Sequence, residues 1–75
     1  MWPPTEEDFQ RIANTIFKNE KSCKGKKEVK VLVYWDNPEL IIMDPIHFAN
    51  TEYKQMKFSN LKKDVNIVVI IGKED

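Results

Sequence analysis

Few side chains in this sequence have the chemistry to form a reaction centre: one histidine, one cysteine and three carboxylates gathered around a turn. His47 has the chemistry of a general base or a metal ligand. No second histidine stands near it, no His-x-x-x-His occurs, and no nucleophile sits at a recognisable spacing. It reads as a locally paired or surface group. Cys23 lies between Lys21 and Lys24, whose charges favour a thiolate. A reactive cysteine also needs a partner base or a resolving cysteine, and neither is present, so it reads as a loop thiol. Asp36, Glu39 and Asp44 bracket a turn, and clustered carboxylates can bind magnesium or calcium or run acid–base chemistry. Asp-Asn-Pro-Glu and Asp-Pro are equally what turns and helix starts require for backbone reasons. Lys24-Gly25-Lys26-Lys27 resembles the end of a phosphate loop, but it lacks the upstream glycine and the following Ser or Thr. The expectation is therefore no catalytic residue, no metal ligand, no cofactor and no enzyme.

Two other signals stand above the background. The first is basic. Arg11, Lys18, Lys21, Lys24, Lys26, Lys27 and Lys30 fall within twenty residues, and Lys54, Lys57, Lys62 and Lys63 form a second group. If the fold joins the Lys24–Lys30 and Lys54–Lys63 clusters, one side of the molecule can contact nucleic-acid phosphates. Against this, twelve basic residues balance twelve acidic ones, and Arg11 is the only arginine, the better fork for phosphate. Lysines also keep loops solvated and guard strand edges.

The second signal is an apolar surplus. Val65 to Ile71 is almost continuously apolar, and Val29, Val31, Val33 and Trp35 share one face of another strand. One helix can shield only one side of a small sheet, so a second apolar face is expected to seek a partner. The leading expectation is a small non-enzymatic interaction module that acts through an apolar sheet face and pairs with itself or with another protein. Trp2, Tyr34 and Trp35 are its candidate anchors, since aromatics dominate interface hot spots. Nucleic-acid binding through Lys24, Lys26, Lys27, Lys30, Lys54, Lys57, Lys62 and Lys63 is the alternative.

The elements that must carry these residues follow from periodicity. Phe9, Ile12, Ala13, Ile16 and Phe17 make one helical stripe. Thr5 caps its start, with Glu6, Glu7 and Asp8 in the first turn and Glu7–Arg11 as an i,i+4 pair. Lys21 to Lys27 reads as a basic loop. Glu28 to Trp35 alternates as a strand, Asp36 to Glu39 as a turn, and Leu40 to Met43 as a second strand. Residues 44–64 read two ways. Asp44-Pro45 favours a helix with Ile46, Ala49, Tyr53 and Met56 on one face. The alternative is a pair of strands, Ile46 to Phe48 and Tyr53 to Phe58. Val65 to Ile71 reads as a central strand. The class is α+β: a sheet of three to five strands with an N-terminal helix on one face, in the order α-β-β-(α or ββ)-β.

Length and composition bound the rest. Seventy-five residues make one small domain, 1–75, which buries only about 60% of its unfolded surface. A single cysteine excludes an intrachain disulfide, which leaves packing or a partner as the source of stability. At 41% apolar and 32% charged, the composition is that of a folded chain, with no segment approaching a membrane span and no signal-peptide pattern at Met1 to Asp8. A cytoplasmic location is expected.

Overall fold

A computed structural model of the chain describes residues 1–46 and 51–74. Helix α1 spans Glu6–Lys18 and a short helix α2 spans Glu20–Cys23; strands β1 (Glu28–Tyr34), β2 (Asn37–Met43), β3 (Thr51–Asn60) and β4 (Val65–Glu74) follow. The strands form one mixed sheet in the order β2-β1-β4-β3. This is the expected α+β arrangement, with β4 in the interior of a four-stranded sheet. Strand β1 pairs antiparallel with β2 and parallel with β4, and β3 pairs antiparallel with β4.

Helix α1 forms where the apolar stripe and its cap coincide. The Thr5 hydroxyl accepts from the Asp8 amide, and the Asp8 carboxylate accepts from the Thr5 amide at 2.8 Å, closing a capping box. Arg11 pairs with Asp8 at 2.9 Å rather than with Glu7, because Asp8 is already held in place by Thr5. Phe9, Ala13 and Ile16 enter the core against Val29, Val31 and Val33 of β1 and Val65, Ile67, Val69 and Ile71 of β4. Ile41 and Met43 of β2 and Met56 and Phe58 of β3 close that layer at either side.

Four sequence expectations change. Residues 51–60 are strand, not helix, so the strand reading holds over Tyr53 to Phe58, and the strand runs two residues further at each end. Met56 and Phe58 recur with period two and stand opposite Val69 and Ile67, while the predicted helical stripe is never realised: Tyr53 and Met56 fall on opposite faces, and Ile46 is 98% exposed. A ladder to an interior strand outweighs a local cap signal. Asp44 is in fact left-handed, at φ 50°, not in the extended conformation of a helix cap. The expected strand at 46–48 falls mostly outside the described residues, as do Ala49 and His47. The basic loop starts at Lys24, because Lys21 to Cys23 belong to α2. Cys23 is accordingly a core residue, 7% exposed, whose thiol donates to the Ile16 carbonyl at 3.5 Å. The hairpin turns at Trp35-Asp36, with Tyr34 opposite Asn37, so Pro38 and Glu39 lie within β2. Pro38 is tolerated because β2 is an edge strand.

Candidate functional site

Position in the sheet decides which candidate residues can act together. Trp2 and Trp35 meet edge to face with ring centroids 5.7 Å apart, and both pack on the core beneath α1. Trp2 Nε1 also donates to Glu52 Oε1 at 3.3 Å. Tyr34 belongs to the opposite face, beside Gly72. The three aromatics therefore do not make one surface: two are half-buried packing residues on one side and the third is on the other.

That opposite face has a mixed character. Leu32 and Ile70 pair at its centre and are each only 2% exposed. Lys30 and Lys57 flank Val68 across three strands, and Tyr34 and Tyr53 flank Gly72. Apolar surface is more open at the β2 edge. Leu40 is 48% exposed and Ile41, Ile42 and Met43 are half-buried. The Asp44 amide donates to the Lys30 carbonyl at 2.7 Å, which sets the phase of the β1–β2 ladder. Bonded and non-bonded pairs alternate in an antiparallel ladder, so Ile42 turns its backbone toward Leu32 while Ile41 and Met43 turn theirs outward. No strand lies beyond β2 among the described residues. This edge was not singled out in the sequence, although the uncharged apolar run Leu40 to Met43, following Pro38 and Glu39, is a readable mark of it.

The lysine clusters converge only in part. Strands β1 and β4 are parallel neighbours, so the loops that feed them, 24–27 and 61–64, lie side by side. The Asn66 amide donates to the Lys27 carbonyl at 2.9 Å and ties the loops together. Between them lies a groove of about 500 Å³ lined by Cys23, Lys24, Gly25, Lys26, Lys27, Lys63 and Asp64. Lys62 is exposed in the same turn as Lys63. Lys30 and Lys57 are on the sheet face away from α1, and Lys54, opposite Ile71, is on the α1 side near the other end of β3.

Local partners hold most of the groove's ammonium groups. Lys26 pairs with Asp44 at 2.9 Å, Lys27 pairs with Asp64, and the Lys63 ammonium donates to the Phe17 carbonyl in the last turn of α1. The hydrogen bond and charge of Lys26 hold the Asp44 carboxyl below its ordinary range, and those of Lys27 do the same for Asp64. Lys24 has no ion-pair partner among the described residues.

The carboxylates Asp36, Glu39 and Asp44 make no common site, since Asp44 turns to Lys26. No group of three or more His, Cys, Asp or Glu side chains is placed to hold a metal ion among the described residues. Nor is any described helix long and apolar enough to cross a membrane. No protein family, curated protein or solved structure matches the chain.

Proposed function

We propose that this chain is a small, non-enzymatic, cytoplasmic interaction module that associates with a second copy of itself through the β2 edge. The asymmetry of the two sheet edges carries the reading. Edge strand β3 bears Glu52, Lys54 and Lys57 along its length, the charges that ordinarily blunt an edge, whereas β2 confines its guards, Pro38 and Glu39, to the end next to the turn and leaves Leu40 to Met43 without a charge. An uncharged apolar stretch of edge with outward backbone groups is a template for strand addition.

The strand suits a two-fold partner. Antiparallel pairing centred on Ile42 sets Ile41 against the second copy's Met43 on the α1 side and Ile42 against its own counterpart on the other side. Both outward residues then exchange backbone hydrogen bonds, and a continuous sheet runs through the pair. Association would also enlarge the core of a chain whose size leaves its stability small. The unpaired, buried Cys23 suits a reducing compartment.

Sedimentation velocity over the micromolar range tests the reading, with Ile42→Lys as the probe. That change sets two ammonium groups against each other on the two-fold axis. The wild type is expected to sediment as a dimer and Ile42→Lys as a folded monomer. A wild type that stays monomeric throughout the range, or an Ile42→Lys dimer, overturns it.

A further inference from the structure

Beyond self-association, we propose that the groove between loops 24–27 and 61–64 binds the phosphate backbone of nucleic acid without reading its bases. Four lysines, Lys24, Lys26, Lys27 and Lys63, line the groove beside one lining carboxylate, Asp64; with Asp44, which pairs with Lys26 from outside the lining, they leave a local excess of two positive charges. The chain is neutral as a whole, so this excess is local and comes from the parallel pairing that brings the starts of β1 and β4 together.

The ion pairs in the groove do not oppose binding strongly. The Lys27 and Asp64 side chains are 83% and 80% exposed, and pairs that open to water are weak and exchangeable. A phosphate can take the place of either carboxylate, while Lys24 needs no exchange at all. Gly25, at φ 76°, has no atom within 4 Å of the place where a side chain would begin, so a ligand can approach the backbone of the turn. No aromatic side chain lines the groove, which removes base stacking and leaves a contact made by charge alone. Extended phosphodiester fits such a row of lysine heads better than a ligand that needs a rigid arginine fork.

Fluorescence anisotropy with a labelled single-stranded oligonucleotide of mixed sequence tests this. Four lysine–phosphate contacts predict a salt slope of roughly −2.8, or about 50-fold weaker binding between about 50 and 200 mM salt. The triple change Lys24→Gln, Lys26→Gln, Lys27→Gln should cut that slope to about −0.7, and Lys24→Gln alone should lower it by about 0.7. Lys54→Gln, outside the groove, should leave the slope unchanged, and Ile42→Lys should still bind, which separates this result from the fate of the dimer. Absence of binding at the lowest salt, an equal effect of Lys54→Gln, or equal competition by tripolyphosphate and unlabelled oligonucleotide would each overturn the assignment.

Discussion

The indoles of Trp2 and Trp35 meet at 82°, edge to face, and join the segment before α1 to the turn after β1. A contact of this geometry contributes about 0.5–1.5 kcal/mol beyond the area it buries. A double-mutant cycle of Trp2→Leu and Trp35→Leu, each of which removes a ring, should return a coupling energy in that range when followed by urea unfolding. Both rings face the core under α1, so these changes should lower stability without shifting the monomer–dimer balance of the folded protein. A loss of association at equal folded fraction would make them interface anchors instead.

The capping box predicts the acid behaviour of α1. The Thr5 amide and hydroxyl and the Arg11 guanidinium hold the Asp8 carboxyl below its usual range. A lowered folded pKa stabilises the fold at pH above the unfolded value of about 3.9 and loses that effect as pH falls below it. Asp8→Asn should therefore flatten the fall in stability below pH of about 4, only in part, because Asp44 and Asp64 titrate in the same direction. Thr5→Ala should cost about 1 kcal/mol at neutral pH, measured by urea unfolding.

What was legible in the sequence is what local pattern determines. The stripe from Phe9 to Phe17 and the alternation from Val29 to Val33 each name their element, because one face of each is buried in the same core. The segment after Met43 was not legible, since Asp44-Pro45 is a helix signal and only pairing with β4 makes residues 51–60 a strand. Charge was half legible. Lys24, Lys26 and Lys27 meet Lys63 through the parallel β1–β4 register, which no sequence spacing encodes. Tyr34 and Trp35 are adjacent in sequence, yet only Trp35 packs on the core beneath α1.

Beside Asp44, two further described residues hold left-handed backbone in turns, Asp64 and Gly25. Asp64 stands at φ 52° just before β4, a conformation that Asp and Asn tolerate and β-branched residues resist. Thermal unfolding should show Asp64→Asn close to wild type and Asp64→Val clearly lower in Tm. At Gly25 the space is open, so Gly25→Ala costs conformational strain without a clash, about 1 kcal/mol. Equal melting of Asp64→Val and Asp64→Asn would show that the turn relaxes.

The deepest test of the sheet lies on its side away from α1. Leu32 and Ile70 are not part of the cluster under the helix, yet each is as inaccessible as Ile71 within it. Burial of that degree within one chain means that the centre of this face contributes to folding stability directly, while the open apolar surface is at the β2 edge. Leu32→Ala should then cost about 2–5 kcal/mol, the same range expected for Ile67→Ala beneath α1. Urea unfolding measured at several protein concentrations separates the sources. A cost that is independent of concentration places the cover of Leu32 within the monomer. A cost that vanishes on dilution, as the dimer dissociates, would instead make this face part of the interface and move the contact surface from β2 to the sheet itself.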